Sequence, residues 1–205
     1  METPPTQLYL ISPQDVDGDF PNRLERAVKA GPVAAFQFRV KGIDQHEAAR
    51  LAAPLQEICA ANDVAFIVND SVALARRLKA DGVHLGQKDG DPREAREELG
   101  PDAQIGVTCH GSKHLAMEAG EAGTDYVAFG AFFPSTTKDS EHHPEPEIIE
   151  WWANLFEIPC VAIGGITPEN CRPLVDAGAD FLAVSAGVWN RDEVEAVEAF
   201  ARAIG

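Results

Sequence analysis

Phe66-Ile67-Val68-Asn69-Asp70 is answered further along the chain by Gly82-Val83-His84-Leu85-Gly86-Gln87-Lys88-Asp89. Each is a short apolar run that stops at polar, ionisable residues, the pattern of a parallel strand covered by helices on both faces. Between them, Ser71 to Leu78 has helical spacing behind a serine at the N-cap position. The unit reads strand, helix, strand. It puts Asp70 and Asp89 at the carboxyl ends of neighbouring strands, the edge where parallel α/β folds bind ligands. Two carboxylates held close repel each other, and a hard divalent cation such as Mg2+ relieves that repulsion. The pair therefore points to a Mg2+-diphosphate site.

The same rhythm extends in both directions. Leu8 to Ile11, Val33 to Val40, Gln104 to Thr108, Tyr126 to Gly130, Cys160 to Gly165 and Phe181 to Ser185 read as further strands. Helical stretches alternate with them at Pro21 to Val28, Asp44 to about Ala61, Asp91 to Leu99, Ser112 to Ala122, around Ile148 to Trp152, and Asp192 to Ile204. Thr167-Pro168-Glu169 reads as the cap and proline start of one more helix. Eight strand–helix units in a chain of 205 residues predict a single-domain (β/α)8 TIM barrel of the α/β class over residues 1–205. A doubly wound open sheet is the alternative. No linker or low-complexity tract divides the chain.

A formal net charge of -16 argues against nucleic acid or an anionic membrane surface as partner. The simplest reading of that charge is a very soluble surface, and any anionic substrate must then find a local basic pocket. No apolar run approaches the ~20 residues of a membrane span. Met1-Glu2-Thr3-Pro4-Pro5 lacks the features of a signal peptide, so a cytoplasmic location is expected. Cys59, Cys109, Cys160 and Cys171 show no C-x-x-C spacing and are expected to be free thiols, mostly acting as small core residues.

On a barrel, residues ending the strands share one mouth: Gln37, Arg39, Lys41, Asn69, Asp70, His84, Asp89, Thr108, His110, Pro134 to Lys138, Gly164-Gly165 and Ser185-Ala186-Gly187. Arg39 and Lys41, two apart on an extended chain, point to the same side and suit a diphosphate clamp; a solvated strand end gives the same pattern. Ser135, Thr137 and Lys138 fit an anion-binding loop, or a plain surface loop. The glycines of the last two loops suit close approach of backbone N–H groups to a phosphate. His84 reads as a hydrogen-bonded core histidine, and His110, past the fifth strand, as a more exposed group. His142 and His143 lie in an acidic, proline-rich loop that does not favour a metal role.

The chain resembles the thiamine phosphate synthase family over nearly its whole length. The resemblance is carried by Gln37-Phe38-Arg39-Val40-Lys41, Val68-Asn69-Asp70, Ala80 to Asp89, Gly106-Val107-Thr108-Cys109-His110, Gly130 to Lys138 and Ala162 to Ile166. It implies a transferase with Mg2+ as cofactor. In that reaction a hydroxymethylpyrimidine diphosphate loses diphosphate, the C–O bond breaking first, and the nitrogen of a thiazole phosphate is alkylated to give thiamine phosphate. On the same resemblance Asp70 and Asp89 ligate Mg2+, and Arg39, Lys41, Asn69 and Lys138 hold the diphosphate. Gln37 contacts the pyrimidine, and Thr108 stands where a serine touches the reacting groups. Ser135, Thr137, Gly165, Val184 and Ser185 hold the thiazole phosphate. His110 is expected to touch substrate from its place past the fifth strand, not from the resemblance.

The chain departs from the family pattern at Val40 (usually glutamate), Ala131 (usually proline), Ser12-Pro13 (usually Thr-Asp) and the loop after Lys138. Two other readings compete. One is a thiazole tautomerase with His110 as general acid/base; the other is a non-catalytic binder of phosphorylated thiamine precursors. The tautomerase would not need Asp70, Asp89 or Asn69. The sequence leaves the oligomeric state open, a homo-oligomer included.

Overall fold

A computed structural model describes residues 5–134 and 142–205. Eight strands, β1 (Gln7–Ile11), β2 (Val33–Phe38), β3 (Ala65–Asn69), β4 (Gly82–Leu85), β5 (Gln104–His110), β6 (Tyr126–Gly130), β7 (Cys160–Ile163) and β8 (Phe181–Val184), form a closed barrel in chain order. Every pairing is parallel, and β1 closes on β8 with Tyr9 opposite Ala183, which rules out the open sheet. Helices α1 (Phe20–Lys29), α2 (Gln45–Ala61), α3 (Val72–Leu78), α4 (Pro92–Leu99), α5 (Lys113–Glu121), α6 (Glu147–Leu155) and α7 (Arg172–Asp176) lie between successive strands. After β8 come α8 (Ala186–Trp189) and α9 (Glu193–Ile204). Among the described residues no helix is long and apolar enough to cross a membrane.

The continuous apolar runs follow from two separate cores. In β3, Phe66 and Val68 pack into the layer under the helices while Ile67 belongs to the inner cluster. In β6, Val127 and Phe129 go outward and Tyr126 and Ala128 inward. Both faces are covered, so the strands are largely apolar. All four cysteines are buried and unpaired.

Helices α2, α3, α4, α5 and α9 start where the sequence supplies a cap. Asp44, Ser71, Asp91, Ser112 and Asp192 each accept hydrogen bonds from backbone N–H groups two or three residues on. At the opposite end of the barrel from the mouth, one device recurs three times. Asp81, Asp125 and Asp180 immediately precede β4, β6 and β8. Their carboxylates accept from the backbone N–H of Phe66, Ile105 and Cys160 at 2.7, 2.6 and 2.8 Å. Each also donates its own N–H to the carbonyl of that same residue, at 3.0, 2.8 and 3.1 Å. The double bond fixes the stagger of neighbouring strands, and so the height at which their far ends reach the mouth.

Four sequence expectations change. β2 stops at Phe38 rather than Val40, and β4 at Leu85, so Asp89 lies in the loop after β4 and not at its end. A turn brings it back: Asp89 donates its N–H to the Gly86 carbonyl at 3.2 Å, and its carboxylate accepts from Gly86 N–H at 3.0 Å. β5 runs on to His110, which is half-buried rather than exposed. Thr167-Pro168 does not open a helix. The Asn170 amide accepts from Thr167 N–H and donates to Gly165 O, closing a turn, and α7 begins only at Arg172.

Candidate active site

Asp70, Asp89 and Lys41 meet at one side of the mouth. Asp70 follows β3 directly, with φ +64° and a 2.8 Å bond from Ser71 N–H to Asn69 O, a tight three-residue turn. Positive φ strains any residue but glycine, although aspartate tolerates it better than most. Here it is held by the Ser71 cap of α3 and by a 2.8 Å bond from Asp70 N–H to His84 O on β4. The turn directs Asp70 toward Lys41, whose ammonium lies 3.1 Å from its carboxylate. Asp89 comes from the other side. Desolvation first, then the charge of Asp70 and a hydrogen bond with it, raise the Asp89 carboxyl above its ordinary range. Two carboxylates facing each other with one ammonium beside them hold an excess of negative charge that a cation would relieve.

All oxygen donors, hard and anionic, are the set that suits Mg2+, which takes one or two protein carboxylates and fills its remaining positions with water and substrate phosphate. Asp70 and Asp89 fit that ion. Among the described residues no group of three or more His, Cys, Asp or Glu side chains is arranged to hold a metal. His142 and His143 belong to no such group among those residues. The rings of His142 and His110 instead pack at 4.6 Å, and His143 Nδ1 lies 3.1 Å from Ala131 O.

The floor of the mouth is a buried polar chain crossing the barrel. Gln37 Nε2 donates to Tyr9 Oη at 2.9 Å, and the Tyr9 and Tyr126 hydroxyls meet at 2.8 Å. Tyr126 Oη lies 3.1 Å from His84 Nδ1, and His84 Nε2 lies 2.8 Å from Thr108 Oγ1. Burial pushes Tyr9 up to about 12 and Tyr126 well above 10.0, and pushes His84 down to about 4. At neutral pH the chain is uncharged, and every buried side-chain polar atom among the described residues has a partner. Gln37 and Thr108, chosen from sequence, are its two ends. His84 is the buried, hydrogen-bonded histidine the sequence suggested. Tyr9 and Tyr126 are not visible as site residues in the sequence; their only signal is a phenol at an inward position of an otherwise apolar run.

The remaining candidates are spread around the rim. Arg39 follows β2 half-buried, and its guanidinium makes no ion pair among the described residues. Asn69 ends β3. Gly165 has φ +64°, and a side chain there would start 2.4 Å from Pro134 O, so only glycine lets the two loops touch. Val184 is buried in the outer layer, and Ser185 stands at the N-cap position of the single-turn α8 without a side-chain capping bond. Ser135, Thr137 and Lys138 lie outside the described residues.

The family model described as thiamine monophosphate synthase matches residues 8–188. The thiamine-phosphate synthase of Erythrobacter litoralis is 74% identical, covering 98% of this chain and 96% of its own. That of Rhodospirillum centenum is 54% identical over 90% of this chain and 89% of its own. Among solved structures, the thiamine phosphate pyrophosphorylase of Pyrococcus furiosus superposes with a TM-score of 0.86 at 29% identity, covering 97% of this chain and 95% of the other.

Proposed function

The chain belongs to the thiamine monophosphate synthase family and is a transferase of the thiamine-phosphate synthase type, and from that premise we propose a Mg2+-assisted route with named residues at each position. The substrates are a hydroxymethylpyrimidine diphosphate and a thiazole phosphate. The bond between the pyrimidine methylene and the diphosphate oxygen breaks, diphosphate leaving with the electron pair. The lone pair of the thiazole nitrogen then forms the new C–N bond, giving thiamine phosphate. No nucleophile from the protein is required; the work is positioning and stabilisation of the leaving charge.

Asp70 and Asp89 would hold the metal, which supplies neutralising charge to the diphosphate oxygens. Lys41, Arg39 and Asn69 bind the same group from the β2 and β3 side. Lys138 joins them on the sequence pattern. Gln37, presented by Tyr9, reads the pyrimidine over the neutral floor, and Thr108 at the floor's other end faces the reacting carbon. Gly165, Ser185, Ser135, Thr137 and the backbone of Val184 receive the thiazole phosphate. The buried, unpaired cysteines fit a reducing compartment, and we place the reaction in the cytoplasm.

The observation that supports this reading most is the approach of Asp89 to Asp70, with Lys41 at 3.1 Å from Asp70. A tautomerase working through His110 has no use for it. The test is Asp89→Ala. Turnover that depends on Mg2+ should fall by at least 100-fold with the circular dichroism spectrum unchanged, whereas full activity would remove the metal assignment.

A further inference from the structure

β2 ends at Phe38, and the next regular element, α2, starts at Gln45. Two of the cations assigned to the diphosphate, Arg39 and Lys41, lie in this gap, where no backbone ladder holds them. Gly42, next in the chain, has φ +79°, a left-handed turn that glycine adopts without strain, and a Cβ added there would meet nothing within 4 Å. What holds it comes from the loop after β1. The last backbone bond of the β1–β2 edge runs from Ser12 N–H to Gln37 O at 2.9 Å. Beyond it, side chains take over. The buried Ser12 Oγ accepts from Arg39 N–H at 2.9 Å. The Gln14 amide then grips the Lys41 peptide on both sides, donating from Nε2 to Lys41 O at 2.6 Å and accepting from Lys41 N–H at 3.2 Å. The strand edge is thus extended to Lys41 by a serine and a glutamine in place of backbone.

We propose that Gln14 is a positioning residue for the diphosphate-bearing substrate, holding the Lys41 peptide so that the Lys41 ammonium stays at Asp70. This rests on the assignment of Lys41 to the diphosphate. Gln14 itself is exposed and touches no reacting atom. Its amide matches both backbone hydrogen-bonding groups of one residue, which neither a carboxylate nor an alkyl chain can do. With that grip removed, Lys41 samples positions away from Asp70, and the substrate must recapture it on binding.

The experiment compares Gln14→Met, which keeps length and loses both bonds, with Lys41→Ala in the purified protein. KM is measured for each substrate separately, together with the inhibition constant of inorganic diphosphate. In Gln14→Met, KM for the pyrimidine diphosphate and the inhibition constant should both rise by about 10-fold, in line with two neutral hydrogen bonds. KM for the thiazole phosphate should stay within about twofold. General loosening of the barrel would raise both KM values together, and that result overturns the proposal. So does a Gln14→Met enzyme with unchanged constants beside a Lys41→Ala enzyme that has lost diphosphate affinity. If Lys41→Ala itself leaves the pyrimidine diphosphate KM unchanged, the assignment of Lys41 fails and takes the role of Gln14 with it.

Discussion

Tyr9 Oη and Tyr126 Oη lie 2.8 Å apart inside the barrel, although one residue is on β1 and the other on β6. Their rings meet edge to face at 5.9 Å, so the pair is at once a packing contact and a link in a hydrogen-bonded chain. Tyr126 also stacks on His84 and bonds its Nδ1. Removing the hydroxyl leaves a buried imidazole nitrogen with no partner, which costs about 1–3 kcal/mol. Tyr126→Phe is therefore expected to lower stability by that amount in denaturant titration. It should raise KM for the pyrimidine substrate, with little effect on that of the thiazole phosphate.

The rim opposite the mouth depends on Asp125 more than on any surface pair. Its carboxylate accepts from Ile105 N–H and from Arg96, and Arg96 also donates to the Gly100, Pro101 and Ala103 carbonyls. Asp125→Ala removes the acceptor of the Ile105 N–H and the counter-ion of Arg96, and should cost about 1–3 kcal/mol. Asp17→Ala, which breaks an exposed pair with Arg50, should leave the unfolding midpoint where it is. Equal midpoints for the two variants would show that the double-bonded aspartates do not set the strand stagger.

Glu193, 5% exposed, makes acid sensitivity local. Burial pushes its carboxyl up, but Arg23 at 2.9 Å and Arg26 at 2.6 Å outweigh burial and hold it below the ordinary 4.5. The unfolded chain therefore binds this proton at higher pH than the folded one. The stabilisation is complete above about 4.5 and is lost as pH falls through the lowered folded value. Glu193→Gln should be less stable than the parent at pH 7, with the gap closing as pH falls below that range. A gap independent of pH would contradict the ion-pair account.

How much of this can be read from the sequence depends on how far apart the partners are in the chain. Strand, turn and cap around Asp70 and Ser71 are local, and the apolar runs announce a parallel sheet buried on both faces. The chain Gln37–Tyr9–Tyr126–His84–Thr108 needs strands β1, β2, β4, β5 and β6 brought together, and no local pattern marks it. Gly106 is a clue legible only afterwards: a Cβ there would lie 1.9 Å from Tyr126 Cζ, so the glycine makes room for the ring. The sequence places Asp89 at a strand end, whereas the structure puts it beyond β4 and carries it back by the return turn on Gly86. The Gln14 grip on Lys41 was hidden for a similar reason: it is made by side chains where the expected backbone ladder has stopped.

The most direct measurement is diphosphate release by the purified protein, given the pyrimidine diphosphate and the thiazole phosphate together and singly, with Mg2+ present and with Mg2+ removed by chelation. The account predicts release only when both substrates and Mg2+ are present, restored on adding Mg2+ back. Undiminished release after chelation would contradict the role given to Asp70 and Asp89.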